Sequence, residues 1–179
     1  MLTTENTLTL AIDFQAKMVP PINKGEEMTR KSVIFLEGCR ILGVPILVTQ
    51  QYTRGLGETI PEIKKAVGEH TPIEKITFSC FGCDEYEEKL KKSGKKKILV
   101  TGIEAHICVQ QTVLGLLDRD YEVYILADCV GARSKVDYKY AIRRMEKAGA
   151  IITTTESALF EMMVSADHPH RKAITALVT

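Results

Sequence analysis

Residues 97–117 read KILVTGIEAHICVQQTVLGLL and join a strand pattern to a helix pattern. An apolar β-type run ends at Gly102, and apolar residues then recur with helical spacing at Val109, Val113, Leu116 and Leu117. Cys108 therefore lies in the first turn of a helix that follows a strand. Free N–H groups and the positive end of the helix dipole favour a thiolate there, so we predict that Cys108 is a nucleophile. The alternative is a buried structural cysteine.

Length and composition place the chain among single-domain globular proteins. It has 179 residues, of which 45% are hydrophobic, and a net charge of +1. These values predict one domain over residues 1–179, with no nucleic-acid partner and no membrane partner. The five cysteines show no secreted-scaffold spacing and the first residues show no secretory leader, so free thiols in the cytoplasm are expected.

Strand and helix patterns alternate along the chain. The strand candidates are Leu8–Asp13, Val44–Thr49, Ile73–Ile76, Lys97–Gly102, Glu122–Asp128 and Ala150–Thr154. The helix candidates are Glu26–Leu42, Asp84–Ser93, Ala105–Arg119, Val136–Ala148, Ser157–Val164 and Arg171–Leu177. Apolar strands without alternation indicate a sheet that is covered on both faces. The sequence predicts a three-layer α/β/α sandwich with a mostly parallel, Rossmann-like sheet of about six strands.

Three side chains with complementary chemistry fall at or after predicted strand ends. Asp13 closes the first strand, Lys75 lies at the end of the third, and Cys108 follows the fourth. Because ligands bind at the carboxyl ends of parallel strands, we expect these residues to share a site. A carboxylate beside the thiol could accept its proton, and an ammonium group between them would stabilise both negative charges.

Other patterns suggest different chemistry. Cys80 and Cys83 form a C-x-x-C pair before a predicted helix, which is compatible with a dithiol redox protein. We interpret His168 and His170, two histidines near the C-terminal end, as surface residues and predict no metal site. No complete phosphate-binding glycine motif is present, and no cofactor is predicted.

Several segments together resemble the isochorismatase-like cysteine hydrolases, a superfamily that includes nicotinamidases and N-carbamoylsarcosine amidohydrolases. The resemblance extends over nearly the whole chain. It rests on AIDFQ (11–15), IEKITFS (73–79), TGIEAHICV (101–109), YEVYILAD (121–128) and TTES (154–157). The likeness is strongest to small single-domain members.

The resemblance implies a catalytic triad of Asp13, Lys75 and Cys108. It also implies a cis peptide bond between Ile103 and Glu104, which would turn the Glu104 N–H toward the nucleophile. The N–H groups of Glu104 and Cys108 would then form an oxyanion hole. Members of the family usually associate, so the resemblance implies a homo-oligomer.

The reaction class follows from how this chain departs from its relatives. Nicotinamidases carry an Asp-x-His metal site after the second strand, whereas residues 49–54 here read TQQYTR. Cys108 favours metal-independent hydrolysis of a small amide, imide or carbamoyl compound through a thioester. The candidate substrate contacts are Phe14, Gln15, Tyr52, Phe78 and His106.

Three alternatives remain open from the sequence. Hydrolysis of an isochorismate-like vinyl ether would survive Cys108→Ala but not Asp13→Ala. A binding protein that keeps the fold would show no turnover that depends on Cys108. A dithiol redox protein would form a reversible disulfide that Cys83→Ala abolishes.

Overall fold

A computed structural model describes all 179 residues and contains one six-stranded sheet. The strands are β1 (Thr7–Ile12), β2 (Ile46–Gln51), β3 (Ile73–Lys75), β4 (Lys97–Ile103), β5 (Glu122–Gly131) and β6 (Ile151–Thr153). They lie in the order β3-β2-β1-β4-β5-β6, and every pairing is parallel. The predicted α/β fold with a parallel sheet is therefore confirmed.

Eight α-helices and one π-helical turn connect or follow the strands. They are α1 (Gly25–Ile41), α2 (Thr53–Leu56), α3 (Pro61–Val67), α4 (Asp84–Ser93), the π turn (Ala105–Val109), α5 (Gln110–Leu117), α6 (Lys135–Lys147), α7 (Thr155–Met163) and α8 (Arg171–Val178). None of these helices is long and apolar enough to span a bilayer.

Two hydrophobic cores lie on opposite faces of the sheet. The core on one face includes α1, α3, α7 and α8, and the core on the other includes α4, α5 and α6. Neighbouring strand residues belong to different cores: Leu99 packs with the first, whereas Ile98 and Val100 pack with the second. This explains why the strands read as unbroken apolar runs.

The structure corrects three predicted boundaries near the functional end of the sheet. The single helix predicted over Ala105–Arg119 is a π turn followed by α5. Strand β5 continues past Asp128 to Gly131, through a register shift opposite Val100–Gly102. The short helices α2 and α3 had no sequence prediction. The π turn and the register shift of β5 are irregular backbone features, and a regular helix or strand pattern in the sequence does not predict them.

Candidate active site

The carboxyl ends of β1, β3 and β4 bring Asp13, Lys75 and Cys108 into one region of the molecule. Asp13 follows β1 with a left-handed φ of 54°, and Lys75 is the last residue of β3. Cys108 lies in the π turn after β4. All three residues are buried, with relative exposures of 0%, 3% and 3% respectively. The sheet thus groups the three residues that the sequence indicated.

Asp13 and Lys75 form a buried ion pair. The Lys75 Nζ donates to Asp13 Oδ2 at 2.7 Å, and the Thr49 hydroxyl donates to Asp13 Oδ1 at 2.7 Å. Burial alone would lower the pKa of Lys75, but the negative charge of Asp13 is the largest influence that raises it above its ordinary value. The lysine therefore stays cationic at neutral pH.

Lys75 is held by three further acceptors. Its Nζ donates to the Gln51 Oε1 at 2.8 Å and to the carbonyl oxygens of Thr77 and Phe78 at 3.3 and 3.0 Å. Parallel pairing places Gln51 beside Lys75 in the sheet. With its acceptors surrounding it, the ammonium group has a fixed position next to Asp13.

The sequence analysis missed Thr49 and Gln51. Both belong to β2 and are two residues apart, so they point to the same face of the strand. Gln50, on the opposite face, instead accepts from the N–H and hydroxyl of Thr59. Once Asp13 was a candidate site residue, the alternation of side chains along β2 could have identified Thr49 and Gln51 as two residues on one face.

Cys108 is a protonated thiol at neutral pH. Burial is the main cause that raises its pKa to about 12, and the Asp13 charge raises it further, while the Lys75 charge lowers it. Burial and the Asp13 charge thus oppose the stabilisation of a thiolate that was predicted for the helix start.

The segment between β4 and the π turn has unusual backbone geometry. The peptide bond between Ile103 and Glu104 is cis. The Glu104 N–H donates to no backbone acceptor, and its carboxylate accepts from the N–H and Nε of Arg133 at 3.3 and 2.9 Å. Glu104 is thus anchored through its side chain, whereas its N–H is left available.

The five predicted substrate contacts have different environments. Phe14 lies in the hydrophobic core, and the Gln15 side chain accepts from the Gln51 N–H and donates to two carbonyl oxygens. Both side chains are fully buried in this conformation. Tyr52 and Phe78 are about half exposed, at 49% and 54%. His106 is partly exposed, with its Nε2 at 4.0 Å from Asp137 Oδ2.

The C-x-x-C pair is divided between two environments. Cys80 is fully buried, its N–H donates to the Thr112 hydroxyl, and burial raises the pKa of its thiol to about 12. Cys83 is partly exposed, and its thiol faces the Glu74 carbonyl oxygen at 3.5 Å. Only Cys83 of the pair is therefore accessible to solvent.

The sequence from residue 7 to residue 157 matches the isochorismatase domain family model. The chain belongs to the isochorismatase family. It is 35% identical over 167 residues to isochorismatase domain-containing protein 1 of Danio rerio, which matches 93% of this chain. The chain spans only 58% of the length of that relative.

Two solved structures of the family superpose on this chain. A structure described as the MAR1 ribonuclease of Caenorhabditis elegans has a TM-score of 0.93 and 36% identity, with 99% of this chain and 91% of that chain covered. The YcaC gene product of Escherichia coli, described as an octameric hydrolase of unknown specificity, has a TM-score of 0.89 and 19% identity, with 98% and 86% covered. The YcaC comparison shows the fold alone.

Proposed function

We propose that this isochorismatase-family protein is a metal-independent cysteine hydrolase of a small amide, imide or carbamoyl compound. The observation that carries the proposal is the grouping of a carboxylate, an ammonium group and a thiol at one end of the sheet. Asp13 and Lys75 are paired at 2.7 Å, and the Asp13 charge acts directly on the pKa of Cys108. A nucleophile beside a base that a third group orients is the general arrangement for covalent catalysis.

The protonated state of Cys108 determines how the reaction begins. Because the thiol is not ionised at rest, Asp13 takes its proton as the sulfur attacks the substrate carbonyl carbon. A C–S bond forms, and the carbonyl π electrons move to the oxygen. The N–H groups of Glu104 and Cys108 donate to that oxyanion. Lys75 keeps the position of Asp13 and balances its charge.

The second half of the reaction restores the enzyme. Protonated Asp13 gives its proton to the departing nitrogen as the C–N bond breaks, which leaves a thioester on Cys108 and releases ammonia or an amine. Asp13 then accepts a proton from water, and the resulting hydroxide attacks the thioester carbonyl carbon. The C–S bond breaks, the acid leaves, and the thiol regains its proton.

The experiment is a hydrolysis assay, read by substrate loss and acid formation as well as by ammonia release, with a panel of small amides, imides and carbamoyl compounds. We expect Cys108→Ala to lower kcat/KM by at least about 1000-fold, and mass spectrometry to find an acyl adduct on Cys108 of the wild type. Cys83→Ala is the matched control and should retain activity. In a parallel assay with an isochorismate-like vinyl ether, turnover that survives Cys108→Ala but not Asp13→Ala would instead indicate vinyl ether hydrolysis. A complete lack of turnover would favour a binding protein.

The substrate and the assembly need separate tests. The ribonuclease name belongs to the Caenorhabditis elegans relative, and with a net charge of +1 this chain has little overall attraction for a polyanion. We propose a small-molecule substrate, and RNA cleavage that depends on Cys108 would contradict this. We also propose a homo-oligomer, because the family resemblance implies one and the YcaC neighbour is described as octameric. Light scattering that gives the monomer mass would refute it.

A further inference from the structure

A cavity of about 310 Å³ lies at the carboxyl end of β5, between the first turns of α1 and α6. Its lining contains none of the three triad residues. The cavity has an apolar floor made by Met28, Val130 and Ala132, each of which is at most 5% exposed. A volume near 300 Å³ and an apolar lining with a few charged groups are typical of small-molecule sites.

The charged residues around this floor carry an excess of positive charge. Lys24, Lys31 and Lys135 line the cavity, together with the acidic residues Glu27 and Asp128. Three positive and two negative side chains give a formal charge of +1. This sum favours an anionic occupant over a cationic one.

The pairing of these charges strengthens the preference. Glu27 is already engaged by Lys24 at 3.2 Å, and the Asp128 carboxylate accepts the Thr155 N–H at 3.0 Å. Lys31 and Lys135 form no ion pair within the chain. These two lysines belong to different helices, α1 and α6, and both line the cavity.

We propose that this cavity binds a small organic carboxylate whose apolar body rests on the floor and whose anionic group meets Lys31 and Lys135. The floor takes a flat or branched hydrocarbon part, and the lysines supply the selectivity for charge. The proposal is independent of the hydrolase activity, because the cavity and the triad have no lining residue in common.

The test is a fluorine NMR titration of the full chain with para-fluorobenzoate, in parallel with the neutral para-fluorobenzyl alcohol. We expect saturable binding of the carboxylate in the millimolar range, and binding of the alcohol that is weaker by about tenfold or more. The double variant Lys31→Gln/Lys135→Gln should weaken carboxylate binding by a similar factor. Lys139→Gln/Lys147→Gln, which changes two exposed lysines of α6 outside the cavity, should leave it unchanged.

A steric variant separates cavity binding from surface attraction. Ala127→Leu adds side-chain volume to the lining and should abolish binding, while an unchanged Tm would show that the fold is intact. Equal binding of the acid and the alcohol would overturn the proposal. So would binding that the Lys31→Gln/Lys135→Gln variant leaves intact, or the absence of saturable binding to the wild type.

Discussion

At the scale of single residues, Cys108 is subject to opposing electrostatic influences. Burial and the Asp13 charge raise the pKa of its thiol, and the Lys75 charge lowers it. The net result is a thiol with a pKa of about 12, which needs a base before it can attack. In the proposed mechanism, the same carboxylate that raises the pKa in the resting protein takes the proton during the reaction.

These opposing effects of Asp13 predict that Asp13→Asn makes the Cys108 thiol more reactive but abolishes turnover. Removing the negative charge lowers the pKa of Cys108, so alkylation by iodoacetamide near pH 8 should become faster. The rate should rise by about tenfold for each unit by which the pKa falls. Hydrolysis should be lost in the same variant. Peptide mass spectrometry of Cys108, with Cys83 as the internal reference, measures the rate against pH.

Lys75→Met provides the opposite control. Loss of the ammonium charge raises the pKa of Cys108 further, so alkylation should slow. If Asp13→Asn slowed alkylation, or if Lys75→Met accelerated it, the electrostatic coupling of the three residues would be refuted.

A second residue-scale prediction concerns Thr49. Its buried hydroxyl donates to Asp13 Oδ1, and valine has nearly the same shape without the donor. Hydrogen bonds to charged groups contribute about 1.5–3 kcal/mol, so Thr49→Val should lower the free energy of unfolding by that amount. Thr49→Ser keeps the hydroxyl and should cost less. Urea unfolding of the two variants measures the difference, and equal losses would contradict a role for the hydroxyl.

At the scale of elements, the β1 backbone leaves no room for a side chain at Gly102 of β4. Its φ is +123°, and a Cβ there would lie 2.1 Å from the Ile12 carbonyl oxygen. Backbone strain and overpacking therefore predict that Gly102→Ala lowers the free energy of unfolding by at least about 2 kcal/mol. Thermal and urea unfolding measure this.

Gly43→Ala is the matched control for that substitution. Gly43 also has a positive φ, of +73°, but a Cβ there would meet no atom within 4 Å. Only the backbone strain remains, which costs about 1–2 kcal/mol. Equal losses in the two alanine variants would show that the contact with Ile12 is relieved without cost.

The elements differ in how well local patterns predict them. Strand β4 was predicted within one residue because its apolar run ends at a glycine. The π turn was not, because its Val109 N–H bonds to the Glu104 carbonyl oxygen, and an apolar period of 3.6 cannot report that spacing. Helix α2, at four residues, is too short for any period to appear.

At the scale of the whole molecule, the parallel topology explains how the site could be predicted in part. Ligands bind at the carboxyl ends of parallel strands, and this rule alone predicted from the sequence that Asp13, Lys75 and Cys108 share a site. The rule does not give burial, and burial controls the pKa of Cys108 and removes Phe14 and Gln15 from the surface. Tertiary packing, which brings distant segments over these residues, is the part that no local pattern contains.

At the scale of the whole molecule, the proposed metal independence of the reaction is open to a direct test. After β2, where nicotinamidases carry their metal ligands, Thr49 and Gln51 instead bind Asp13 and Lys75. Dialysis against a chelator should therefore leave both kcat/KM and Tm unchanged, as ammonia release and thermal unfolding can measure. Activity that falls on dialysis and returns with added zinc would contradict the proposed metal independence.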